Sequence, residues 1–222
     1  MQFSIASLDY LKELHNNNNR EWFTATKPTF LKAQNKAKEF YTGIQENLEK
    51  HDEIDRFKLF RIYRDVRFSK DKTPYKAHFA GSFSRNGKQL RGGYYLRIRP
   101  GESFLAGGFW EPNKEDLLRI RKEIEMDDTE IRDILKDKNV LKYFGGRFEG
   151  AELKSAPRGF NKEHPAIDLI RKKAFILVRN FTDKEVLSES FMEEVDQSYK
   201  AMRPFFNYMS EVVTTNLNGE YL

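Results

Sequence analysis

Residues 78–110 read HFAGSFSRNGKQLRGGYYLRIRPGESFLAGGFW. Phe79, Gly81 and Phe83 alternate with His78, Ala80 and Ser82, and Tyr94, Leu96 and Ile98 alternate with Tyr95, Arg97 and Arg99. A period of two belongs to a strand with one face buried. Between the two runs, Asn86-Gly87 is a hairpin-type turn signal. Pro100-Gly101 supplies a second turn, Pro presetting φ and Gly accepting positive φ as a type II turn requires. Residues 103–110 then form another strand, so the sheet region, 57–110, reads as an antiparallel meander. Within its last strand, Gly107-Gly108 marks a bulge or a place where another backbone or a ligand comes close, the bulge being the commoner outcome.

Outward from the meander the period changes to that of helices. Upstream, Ser7 is a candidate N-cap for a short helix with Leu8, Leu11 and either Leu14 or His15 on one stripe, and the Asn run at 16–19 ends it. Pro28 suits a first helical turn. Phe30, Gln34, Ala37, Tyr41, Ile44 and Leu48 then recur at spacings of three and four, predicting a helix over 28–50. The N-terminal helices thus occupy 7–50. Downstream, Asn113 with Asp116 and Asp127 with Glu130 resemble capping boxes for two helices, and Gly145-Gly146 is a stop. A strand is expected over 174–179, and the C-terminal helix should break or kink at Pro204. Residues 113–222 are therefore a helical and mixed region. No repeat or Gly/Ser linker divides the chain, and the expectation is one α+β domain over 1–222, a central antiparallel meander flanked by N-terminal and C-terminal helices.

Composition narrows the class of protein. The chain has no cysteine, so disulfides, thiolate zinc sites and cysteine nucleophiles are excluded, and a reducing compartment fits. The first residues lack the pattern of a secretion signal, and no apolar run approaches the length of a membrane span. The expected location is cytoplasmic, with no membrane partner. The phosphate loop, the dinucleotide glycine motif and the nucleophile elbow do not occur. The four histidines (His15, His51, His78, His164) are scattered, so no metal site is expected.

Charge is strongly polarised. The window 56–99 holds 13 Lys or Arg against Asp65 and Asp71, a net of +11, while the whole chain carries only +5. The densest part is 61–76, RIYRDVRFSKDKTPYK. Alternating apolar residues predict a strand over 60–68, with Arg61, Tyr63, Asp65 and Arg67 on one side and Phe60, Ile62, Val66 and Phe68 on the other. Arg64 is the exception on the apolar side. A helix, which would group Arg61, Arg64, Asp65 and Phe68, is the alternative. Asp65 is expected to hold neighbouring guanidinium groups in place, because arginine's planar fork matches carboxylate and phosphate alike. The polar loop over 69–76 would bring Lys70, Lys72, Tyr75 and Lys76 to the same side. Arg97, on the outward face of the meander, completes the candidate ligand-binding set. A hard cation near Asp65 and Asp71 is opposed by the surrounding positive charge.

The residues Arg61, Arg64, Asp65, Arg67, Phe68, Asp71, Lys72 and Tyr75 match the signature R-x-x-R-D-x-R-F-x-x-[DN]-K-x-x-Y without a departure. In this the chain resembles a bacterial and fungal family, domain of unknown function 2461. The resemblance extends to Asn17, Trp22 and Phe23, to the Gly-Gly-Tyr-Tyr run at 92–95, to Gly107-Gly108 with Trp110 and Pro112, and to Pro157-Arg158-Gly159 with His164-Pro165. It implies that these residues travel together, and it implies no particular reaction, substrate or cofactor.

Three functions remain open. Crowded arginines with few acids repel one another unless an external anion is expected, which points to a phosphate-bearing or polyanionic ligand, nucleic acid included. Tyr63, Tyr75, Tyr95 and Trp110 are candidates for stacking on bases, and about six phosphate contacts would give a log–log salt slope of roughly −4 to −5. An enzyme acting on a small anionic substrate would use the same arginines, with Asp65 or Asp71 as base and Tyr75, Lys72 or His78 as acid. An Asp among arginines has a lowered pKa, which favours an orienting role for Asp65. An adaptor for an acidic protein partner is the third.

Overall fold

A computed structural model describes residues 1–216 and 219–222 of the protein. Helices α1 (Ile5–Asn16), α2 (Arg20–Ala25) and α3 (Lys27–Leu48) precede strands β1 (Ile54–Leu59), β2 (Phe79–Arg85), β3 (Gly93–Ile98) and β4 (Ser103–Phe109). Helices α4 (Lys114–Met126), α5 (Thr129–Lys136), α6 (Lys138–Phe144) and α7 (Ile167–Ile170) lead to β5 (Phe175–Phe181). Then come α8 (Asp183–Val186), α9 (Phe191–Ala201) and α10 (Arg203–Thr214). The strands form one antiparallel sheet in the order β1-β2-β3-β4-β5, so the fold is α+β. The meander is therefore continuous in sequence, and β5 adds to it beside β4.

Local signals explain most boundaries. Ser4, not Ser7, caps α1; the Ser7 side chain is buried and donates instead to the Ala33 carbonyl at 3.2 Å. Asn19 caps α2 by accepting from the Trp22 N–H, so the Asn run both ends one helix and starts the next. Asn113 accepts from the Asp116 N–H at 2.9 Å and fixes the start of α4. Asp127 accepts from the Thr129 N–H just ahead of α5, which stops at Lys136 because Asp137 leaves helical geometry and caps α6. Gly145 ends α6 in the left-handed conformation at φ 67°. Pro204 sits in the first turn of α10, and the helix break falls at Met202, where an α-helical proline is tolerated.

The strand expected over 60–68 does not form. Regular pairing stops at Leu59, with one further bond from the Phe60 N–H to the Ala80 carbonyl and an isolated antiparallel bridge between Tyr63 and Tyr75. The helix alternative fails equally. Residues 64–74 form a polar loop that closes on its own side chains.

By contact the chain falls into two compact units. The first comprises Met1–Phe83, Tyr95–Leu105 and Asn180–Gln197. Its centre is Tyr41, fully buried, whose hydroxyl donates to the Phe79 and Leu96 carbonyls at 3.1 Å each. The Tyr41 ring stacks with Phe57 and Phe83, and Gly81 admits it: a β-carbon there would lie 2.6 Å from the ring. The second unit comprises Ser84–Tyr94, Ala106–Arg179 and Ser198–Leu222. Here Phe206 meets Tyr94 edge-on at 4.8 Å, and Phe205 joins Phe148 and Phe109. β4 runs through Gly107-Gly108. The pair is a close approach: a β-carbon on Gly108 would lie 2.1 Å from the Phe175 carbonyl oxygen, at φ 142°.

Candidate functional site

The basic stretch lies in the first unit, and its parts divide sharply by role. Arg64 is turned into the loop. Its guanidinium pairs with Asp71 and the Thr73 hydroxyl, and donates to the Thr73 carbonyl at 3.2 Å and the Ser69 hydroxyl at 3.3 Å. Asp71 in turn accepts from the Thr73 N–H and hydroxyl, both at 2.9 Å. Those donors hold its carboxyl at about 2, the Thr73 N–H contributing most, then Arg64. Lys72 donates to the Val66 carbonyl at 3.0 Å and closes the loop from the other side.

Asp65 and Arg67 form a forked pair, Nε to Oδ1 at 3.0 Å and Nη2 to Oδ2 at 2.7 Å. The Arg67 side chain, then its backbone N–H, keep the Asp65 carboxyl below the usual range. Both side chains are exposed, and Arg67 also leans over the Phe68 ring, which is 96% exposed. Phe68 was expected on the apolar side with Ile62; Ile62 alone of that group is buried, because the loop leaves the sheet before Phe68 is reached.

Tyr75 does not join an exposed surface. It is 6% exposed and stacks on Phe23 at 3.9 Å between ring centres, while Asn18 holds its backbone through both the N–H and the carbonyl. Burial raises its phenol pKa. Tyr75 therefore anchors the loop to α2, and base stacking by its ring is ruled out by position. Tyr63 remains 48% exposed, and Trp110, exposed too, belongs to the other unit. Within that second unit the buried Arg85 lies over Phe206 and bonds Ser210 and Asn207, and Arg91 pairs with Asp116 at 2.6 Å. These two cations of the 56–99 window serve packing.

Of the window's other cations, Arg56, Lys58, Arg61, Lys70, Lys76 and Lys88 form no ion pair among the described residues, and Lys58, Arg61, Lys70 and Lys76 are the four nearest the loop in sequence. Lys58 and Lys76 place their ammonium groups 5.4 and 5.8 Å from the centre of the Phe60 ring. Burial, then Arg61, Arg64 and Lys58, pull the Lys76 pKa down. From Phe60 a row of rings crosses the outward face of the sheet: Phe60 to Tyr95 at 6.2 Å and Tyr95 to Phe104 at 5.6 Å, all half-buried. Arg97 covers Phe104 at 4.5 Å and donates to Glu102. His78 lies on the same face; burial, then Arg97, Lys76 and Arg99, depress its pKa to about 4, so it is neutral at pH 7. Beside Ala77 a cleft of about 310 Å3 opens, lined by Lys12, His15 and Arg99 as well as Glu102.

Lys58, Phe60 and Phe104 were not in the expected set. Phe104 was legible from register: a turn at Pro100-Gly101 pairs Arg99 with Glu102, and hence sets Arg97 opposite Phe104. Lys58 had no comparable signal, since it became important only once Phe60 was placed.

A family model, "Conserved hypothetical protein (DUF2461)", matches residues 6–208. The chain belongs to this family of conserved hypothetical proteins. No curated protein and no solved structure matches it.

Proposed function

We propose that the protein binds a phosphate-bearing polyanion on the outward sheet face of its first unit, and that single-stranded nucleic acid is the form that uses the whole face. The observation that carries this is Lys58 and Lys76 over the Phe60 ring, with Arg61 in the field of Lys76 and no carboxylate paired to any of the three. Like charges held this close favour an anion that separates them. The ring row Phe60, Tyr95 and Phe104 adds a surface on which bases stack, each worth about 1–3 kcal/mol when a ring is removed. A free phosphate would use the cations alone.

The arrangement supports binding better than acid–base chemistry. Asp65 and Asp71 are held ionised far below neutrality, and His78 is held neutral. A general acid or base works best with a pKa near the working pH. Fluorescence anisotropy with a labelled single-stranded oligonucleotide is the test. The expected result is saturable binding, weakened about tenfold or more by Phe60→Ala or Tyr95→Ala. Binding that both ring substitutions leave unchanged would reduce the reading to a bare phosphate site.

A further inference from the structure

The second unit contains a cleft of about 810 Å3 formed by α4, the start of α5, α10 and the C-terminal residues, a size suited to a small organic ligand. Four side-chain carboxylates line it; Glu125 is paired with Lys122, and among the described residues Glu123, Glu130 and Glu211 form no ion pair. The cations on the same wall are already engaged: Arg119 with Asp116 at 3.5 Å and Lys122 with Glu125 at 2.7 Å. Between the carboxylates stand apolar side chains, Leu118 and Met126 among them, 51% and 64% exposed.

Tyr208 points to what is missing. The residue lines the cleft and is only 6% exposed, yet its hydroxyl has no hydrogen-bond partner. Burial first, then the field of Glu123 and Glu130, pushes the pKa of this hydroxyl up. Glu123 is raised by burial first, then by Asp127, Glu130 and Glu211. A buried phenol left unpaired beside mutually repelling carboxylates is costly unless a donor-rich cation arrives.

We infer that this cleft binds a linear aliphatic polyamine. Ammonium groups would pair with Glu123, Glu130 and Glu211, methylene segments would cover Leu118 and Met126, and the Tyr208 oxygen would accept an N–H. A divalent cation fits less well, because no cluster of three ligating side chains exists among the described residues. The site is independent of the anion-binding face, since every residue invoked lies in the second unit.

The test is calorimetric titration of the full chain with spermidine, using 1,8-octanediol as an uncharged control of similar length. Saturable spermidine binding without diol binding is expected, weakened about tenfold or more by the double variant Glu123→Gln, Glu130→Gln and several-fold by Tyr208→Phe. Tyr208→Phe keeps the ring and removes only the orphan hydroxyl, so it remains informative if the double variant fails to fold. No saturation up to roughly 10 mM spermidine, equal affinity in the wild type and Tyr208→Phe, or displacement by Mg2+ at matched charge concentration would each overturn the proposal.

Discussion

Removing the Arg64 guanidinium should open the basic loop without removing the cations that face outward. In Arg64→Ala the bonds to the Thr73 carbonyl, the Thr73 hydroxyl and the Ser69 hydroxyl disappear together. Hydrogen bonds from a charged donor are worth about 1.5–3 kcal/mol each when buried and less when water competes. The Arg64 side chain is 24% exposed and the three bonds share one group, so their sum should be about 2 kcal/mol rather than the additive total. The pair with Asp71 is taken to add little, because Asp71 is largely exposed. A local loss of about 2 kcal/mol raises the opening constant roughly 30-fold. Amide exchange reads this directly: the N–H groups of Arg64, Thr73 and Lys76, bonded to Pro74, Asp71 and Ile62, should lose protection by that factor, while Leu96 and neighbouring amides in β3 keep theirs. Unchanged protection over 62–76 would refute the clamp. So would lost oligonucleotide affinity with protection intact, since that would make Arg64 a direct ligand contact.

Gly108→Ala should cost about 3 kcal/mol or more and lower Tm by several degrees, because the new β-carbon meets the Phe175 carbonyl at a φ that L-residues rarely adopt; an unchanged melting curve would contradict the close approach. Protection of the Thr73 amide should be full above about pH 4 and fall as pH drops toward 2, since Asp71 has a lowered pKa in the folded chain and loses its advantage on protonation; pH-resolved exchange checks this. The His78 ring should titrate near pH 4 by NMR, and oligonucleotide binding should raise that value by neutralising Arg97 and Lys76. Its depressed pKa means that the unfolded chain binds more protons between about pH 4 and 6.5, so this histidine's contribution to stability is complete above 6.5 and declines as pH falls through that window.

The meander was readable because burial alternates over 94–98 and, once past the buried Ala80, along 81–85, and its turns carry Gly where positive φ is needed, at Gly87 and Gly101. The loop was misread for a related reason. Burial does alternate from Arg61 to Arg67, yet alternation says nothing about whether a neighbouring strand is present to bond the backbone. Here local partners win: Asp65, Ser69, Asp71 and Thr73 bond the segment to itself. Charge counting located the basic region, but it could not distinguish Arg85, buried against Phe206, from Arg61, which no carboxylate pairs. That distinction depends on contacts between residues more than 100 positions apart, such as Arg85 with Ser210.

The unpaired cations give the most direct test of the anion-binding face. Lys58, Arg61, Lys70 and Lys76, if each meets one phosphate of a single strand, set a log–log slope of affinity against salt of about −3. The measurement is that slope for the wild type and for Lys58→Ala, Arg61→Ala, Lys76→Ala combined, by anisotropy with one labelled oligonucleotide. A slope near −3 that falls to about −1 in the triple variant is expected. A flat wild-type response, or the same slope in both proteins, would contradict anion binding at this face.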